Sequence, residues 1–71
     1  MKKILVVEDD PNINELLQLH LKDEGYAVEV ADHGGKGFER ANKGEFDLLI
    51  LDVMLPEMNG IQICQRLRAL E

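Results

Sequence analysis

Three acidic residues lie at the C-terminal ends of two apolar runs, and they are the side chains best suited to metal binding or catalysis. Glu8 and Asp9 follow residues 4–7, and Asp52 ends residues 47–52. Two ionised carboxylates about 4 Å apart repel by about 4 kcal/mol at an effective dielectric of 20, so three in one pocket call for a cation. Oxygen ligands without a neighbouring His or Cys favour Mg²⁺ over Zn²⁺. The alternative is that these acids are only solvated strand ends.

The acids share a pocket only if the two apolar runs are neighbouring strands. Runs of Ile, Leu and Val such as residues 4–7 and 47–52 are typical of strands buried on both faces. Residues 26–31 alternate enough to form a short strand between them in sequence. In a doubly wound sheet of strand order 2-1-3, ligands bind beyond the carboxyl ends of strands one and three. The sequence therefore predicts that the three carboxylates meet there.

Helices are predicted after each of these strands. Asp10 is the expected N-cap of the first helix, with Pro11 at the first helical position and Gly25 closing it in a left-handed conformation. Its apolar residues are Ile13, Leu16, Leu17 and Leu21. Residues 32–35 are predicted as a turn before a weaker second helix, whose glycines each cost about 1 kcal/mol relative to alanine.

The third helix is predicted to start at residues 59–60. Its apolar face consists of Ile63, Cys64, Leu67 and Leu70. The order β-α-β-α-β-α requires a parallel sheet with right-handed crossovers and helices on both faces. The predicted fold class is α/β, with a doubly wound parallel sheet.

Charge and cysteine content narrow the function classes. The formal net charge is −6, and the 8 Lys and Arg residues are scattered, which argues against nucleic-acid binding through this chain. The single cysteine excludes an internal disulfide and fits a reducing cytoplasm. The apolar run at the start ends at Glu8, too short for a signal peptide or a membrane span. We expect a cytoplasmic protein without membrane contacts.

The segments ILVVEDD (residues 4–10) and LLILDVMLPEMNG (residues 48–60) resemble the receiver domain of two-component response regulators, most closely the winged-helix transcription-factor subfamily. The resemblance covers all 71 residues and implies an α/β fold, a partial, flavodoxin-like doubly wound sheet of strand order 2-1-3. It implies that Asp52 is the phosphoacceptor and a sensor histidine kinase the partner. It also implies a Mg²⁺ site in which Asp9 and Asp52 are direct ligands, Glu8 acts through a water, and Met54 contributes its backbone carbonyl.

The loop after Asp52 carries two further matches to the family. Pro56 stiffens the turn and Gly60 lets the next helix begin against it, so both are expected to shape the pocket. The chain departs from the family elsewhere, because it contains no Ser or Thr and its last lysine is Lys43. A receiver is expected to place a hydroxyl residue on strand four and a lysine on strand five. Residues 1–71 are therefore predicted to be a partial receiver without its fourth and fifth βα units or an output domain, and with impaired phosphotransfer.

The remaining candidate residues are weaker. His20 and His33 are interpreted as solvated surface groups, and Cys64 as a small buried hydrophobe. The exposed side of the first helix, which the family resemblance implies is a kinase-recognition surface, is expected to include Asn14, Glu15 and Gln18.

Two other functional classes compete with the receiver. A phosphatase with an aspartate nucleophile would need a second Asp at position 54, where this chain has Met54. An interaction module without phosphochemistry is the second alternative. Residues 48–51 carry no proline, lysine or inward charge to block the outer edge of the third strand, so homo-oligomers through that edge are expected.

Overall fold

The computed structural model describes residues 1–44, 46–52 and 58–69. These residues form β1 (Lys3–Val7), α1 (Pro11–Asp23), β2 (Ala27–Ala31), α2 (Gly34–Lys43), β3 (Leu48–Leu51) and α3 (Gly60–Ala69). The three strands make one parallel sheet in the order β2-β1-β3. The predicted fold class and strand order are confirmed. No helix in the described ranges is long and apolar enough to span a membrane.

Strand β1 lies in the middle of the sheet because its side chains are apolar on both faces. Ile4 is 2% exposed, and the next three residues are completely buried. Burying an aliphatic side chain of this size contributes about 1.5–3 kcal/mol. Leu5 and Val7 form one cluster with Ala31 and Ile63, so the main core lies between the sheet and the helices α2 and α3. The core thus fixes the strand that ends at the predicted pocket.

The ends of α1 are as the sequence predicts. The carboxylate of Asp10 accepts hydrogen bonds from the backbone N–H groups of Asn12 and Ile13, at 2.8 and 3.4 Å, and Pro11 opens the helix. Gly25 has φ +92°, the left-handed conformation expected after a helix. The cap fixes the direction in which the chain leaves β1.

The N-terminus of α2 differs from the prediction. The helix begins at Gly34 and includes two of the four residues assigned to a turn. His33 is the N-cap rather than a solvated group, because its Nδ1 accepts a hydrogen bond from the N–H of Lys36 at 3.1 Å. A Cβ on Gly34 would overlap the carbonyl oxygen of Met58. This glycine therefore serves a close backbone approach, which a propensity argument does not detect.

Four side chains are buried differently from the prediction. Asn14, expected on the exposed side of α1, is only 8% exposed, whereas the apolar Leu16 is 55% exposed. Cys64 is exposed rather than buried, because Ile63 beside it takes the inward position on α3. Strand β3 is only partly buried, and Leu48 is 53% exposed, because β3 pairs with β1 alone among the described strands. Leu70 lies outside the described residues.

Candidate metal centre

The parallel sheet brings the three predicted acids together. Glu8 and Asp9 follow β1, and Asp52 follows β3, whose last residue pairs with the last residue of β1. The backbone N–H of Asp52 donates to the carbonyl of Val7 at 3.0 Å, which extends this pairing to the acid itself. One carboxylate oxygen from each acid lies within 4.8 Å of the others. Asp9 is exposed, and the other two acids are half-buried.

Of the predicted site residues that follow Asp52, Gly60 is among the described residues. Met54 and Pro56, predicted as a carbonyl ligand and a loop-shaping residue, lie outside the described residues. Gly60 is the first residue of α3, and its N–H donates to the carbonyl of Asp52 at 2.9 Å. A Cβ at this position would lie 2.5 Å from the same carbonyl oxygen, closer than real Cβ contacts. Glycine here lets α3 start against the backbone that carries Asp52.

The backbone before Asp9 is held from two sides. The N–H of Glu8 donates to the carbonyl of Ala31 at 3.0 Å, which continues the β1–β2 ladder by one step. The carbonyl of Glu8 accepts a hydrogen bond from the Nδ2 of Asn14. We did not anticipate Asn14, although its spacing of three and seven residues places it on the same helix face as Leu17 and Leu21. That spacing was the available signal.

The electrostatics of the pocket disfavour full ionisation. The pKa of Glu8 is raised above its ordinary value, first by burial, then by the hydrogen bond with Asp52 and by the negative charges of Asp52 and Asp9. The backbone N–H of Asp10 donates to the Glu8 carboxylate at 3.3 Å, and this hydrogen bond lowers the pKa of Glu8. A divalent cation would offset the negative charge of the three carboxylates, so this all-oxygen donor set fits Mg²⁺.

The raised pKa of Glu8 predicts how the stability of the metal-free protein depends on pH. The folded state holds this proton more tightly than the unfolded state, so the stabilisation is present at acidic pH and is lost as pH rises through the folded pKa. Glu8→Gln should therefore have a urea midpoint that exceeds the wild-type midpoint at neutral pH, with the difference shrinking as the pH falls. The matched control is Glu15→Gln on exposed α1 surface. An excess that did not depend on pH would contradict the prediction.

Comparison with known proteins places this geometry in a family. The family model described as the response regulator receiver domain matches residues 4–71. The chain belongs to this family. The receiver-domain interpretation is therefore favoured over a pure interaction module. Receiver domains are signalling modules of two-component systems, and the three acids lie at a position in the fold where Mg²⁺ could be held.

Curated relatives include two proteins named response regulator ArlR, from Staphylococcus saprophyticus and Staphylococcus aureus. Each is 43% identical to the chain over 68 residues, which cover 96% of this chain and 31% of the relative. The chain thus spans about a third of the length of these relatives.

Solved structures support the same assignment. Response regulator TrrA from Thermotoga maritima, in complex with Mg(2+)-BeF, superposes with TM-score 0.94 at 39% identity, covering all of this chain and 62% of that one. TrrA in complex with histidine kinase ThkA gives TM-score 0.91 at 39% identity, covering 61% of that chain. A CheY-like receiver domain from Methanospirillum hungatei gives TM-score 0.93 at 34% identity, over all of this chain and 57% of that one.

Proposed function

We propose that this receiver domain accepts a phosphoryl group on Asp52, with Mg²⁺ held by the acidic pocket. The observation that carries the proposal is the convergence of Glu8, Asp9 and Asp52 within 4.8 Å at the carboxyl ends of two adjacent strands. In this proposal Asp9 and Asp52 are direct ligands, Glu8 binds through a water, and Met54 supplies its carbonyl. Pro56 and Gly60 shape the loop that follows Asp52.

The proposed chemistry is the transfer of a phosphoryl group from an oxygen or nitrogen atom of the donor to a carboxylate oxygen of Asp52. A carboxylate oxygen of Asp52 forms a bond to phosphorus, while the bond from phosphorus to the donor breaks and its electron pair leaves with the donor. Bound Mg²⁺ supplies neutralisation of the charge on the transferring group. The β1–β3 pairing holds the backbone of Asp52, and Gly60 holds its carbonyl, so the nucleophile is positioned before the donor arrives.

We further propose that residues 1–71 correspond to the first three βα units of a receiver. The chain contains no Ser or Thr, and none of its last 28 residues is a lysine. Neither a Ser or Thr hydroxyl nor a lysine from that segment can therefore contact the phosphoryl group. Transfer that depends on electrostatic positioning should therefore be slow in this chain.

The single cysteine and the net charge of −6 support a reducing, cytoplasmic setting without nucleic acid as a partner.

A histidine kinase is the proposed phosphodonor partner. The support is that the neighbour TrrA has been solved in complex with a histidine kinase. On α1 the exposed side chains include Ile13, Glu15, Leu16 and Leu19, and they replace Asn14 in the surface we expected. Competition between this chain and an intact receiver for one kinase tests the proposal, and no competition at any concentration would refute it.

Titration with Mg²⁺, followed by NMR, tests the acidic pocket directly. Shifts should concentrate at residues 8–10 and 52–56 and saturate at millimolar Mg²⁺, as expected for a weak site of few protein ligands. The same sample, incubated with acetyl phosphate and Mg²⁺, should slowly gain the mass of one phosphoryl group. Uniform small shifts without saturation, together with no added mass, would refute the proposed function.

We also propose that the chain associates with a second copy through β3. Its outer edge has no partner among the described strands, and Leu51 lies beside an open apolar cavity of about 300 Å³ lined also by Ile61 and Cys64. On the opposite face, Leu48 lines a second cavity of about 390 Å³ with Ile4, Leu21 and Tyr26. Apolar surface on both sides of one open edge suits a partner that continues the sheet, and a second β3 does so.

A further inference from the structure

A polar side chain occupies the inward face of α1 near its first turn. Asn14 is 8% exposed, while the apolar neighbours Ile13 and Leu16 are 45% and 55% exposed. An amide therefore lies where the core of an ordinary amphipathic helix would place an aliphatic side chain. Such an exchange of polar and apolar positions needs a physical reason.

The contacts of Asn14 lead to the acidic pocket. Its Nδ2 donates to the carbonyl of Glu8, and its backbone N–H donates to the carbonyl of Asp10 at 3.0 Å. The Glu8 carbonyl belongs to the planar peptide that joins Glu8 to Asp9. Because the N–H of Glu8 is already bonded to Ala31, the Asn14 amide fixes the remaining rotation of this peptide. It thereby fixes the direction in which the two acidic side chains leave the backbone.

The oxygen of the Asn14 amide does not add a hydrogen bond that would stabilise the described part of the fold. The Oδ1 of Asn14 is buried and has no hydrogen-bond partner within the described part of the chain. Leaving a buried acceptor unpaired generally costs more than one neutral hydrogen bond contributes. An aliphatic side chain of similar size would therefore serve folding at least as well. What it would not do is hold the Glu8 carbonyl.

We propose that Asn14 is a positioning residue of the metal centre, whose side-chain N–H fixes the Glu8–Asp9 peptide so that both carboxylates face Asp52. The assignment rests on the proposed function for the identity of the metal. The hydrogen bond and its effect on the peptide can be measured without any metal. Asn14 contributes no ligand atom to the site and acts only through the backbone.

The first measurement uses the metal-free chain and the variant Asn14→Leu. ¹⁵N relaxation should give the Asp9 amide an order parameter near 0.85 in the wild type, and below about 0.6 in the variant, the ranges typical of rigid and flexible backbone. The urea midpoint should stay close to that of the wild type. Asn12→Leu is the matched control, because it places the same substitution at an exposed position of the same helix turn.

The second measurement is the Mg²⁺ dissociation constant from NMR titration. It should rise about tenfold in Asn14→Leu, the lower end of the loss seen when a group that orients a metal ligand is removed, and should not change in Asn12→Leu. If Asn14→Leu does not fold, Asn14→Ala is measured in the same way, and failure of both to fold would overturn the proposal by making Asn14 structural. An unchanged Asp9 order parameter, or an unchanged dissociation constant, would also overturn it. If the wild type binds no Mg²⁺, the proposed metal site fails, and the order parameter alone decides whether Asn14 holds the peptide.

Discussion

Asp52→Asn should abolish the phosphoryl adduct that the wild-type chain gains from acetyl phosphate and Mg²⁺. The amide oxygen of asparagine is a much poorer nucleophile than a carboxylate, and it also removes one of the three charges that attract the cation. The loss should be complete by intact mass, even though the wild-type adduct forms slowly. Metal-free Asp52→Asn should also be more stable than the wild type at neutral pH, since Glu8 loses the like charge beside it.

The matched control for this variant is Asp23→Asn. It makes the same chemical change at an exposed position at the other end of α1 from the pocket. It should gain the phosphoryl mass as the wild type does and should keep the wild-type Mg²⁺ affinity. An adduct that persisted in Asp52→Asn would place the phosphoryl group on another residue and refute the assignment of the acceptor.

Sequence reasoning located the acidic pocket because its geometry depends on short-range signals. An apolar run such as residues 4–7 identifies a central strand, and Asp10 followed by Pro11 fixes the first residue of α1. Parallel strands then carry whatever follows them to the same edge of the sheet. Two acids after β1 and one after β3 must meet there, whatever the rest of the chain does.

The failures all depend on side-chain contacts that composition and periodicity do not reveal. Asn14 resembled a surface residue because polarity alone does not show that the Glu8 carbonyl needs a donor. His33 resembled a turn residue because its cap depends on the ring orientation. Cys64 is exposed because Ile63 beside it takes the inward position, and Leu48 is exposed because β3 pairs with β1 alone among the described strands. Periodicity identifies which side chains are apolar, and packing decides which of them are covered.

The outer edge of β3 has no partner among the described strands, and the first residue of this strand is exposed. In a two-fold dimer the two β3 strands would run antiparallel and make a six-stranded sheet from the two three-stranded ones. A chain of 71 residues buries only about 60% of its unfolded surface, so the added burial is large relative to its own core. Leu49 packs against the core, so a charge there would unfold the chain for reasons unrelated to association. Leu48 is the sharper probe, because it lies on the edge strand and is 53% exposed.

Leu48→Lys should dissociate this dimer while leaving the monomer folded. Two lysines brought close together across a two-fold edge repel each other, and each loses solvent on pairing, so the dimer dissociation constant should rise at least about tenfold, equivalent to about 1.4 kcal/mol. Sedimentation at about 50 µM, a range where a modest interface is populated, measures the change. Leu19→Lys is the matched control, because Leu19 is 67% exposed on α1 and lies outside β3. A wild-type chain that sediments as a compact monomer at this concentration, or a Leu48→Lys dimer as tight as the wild type, would show that β3 is not the interface.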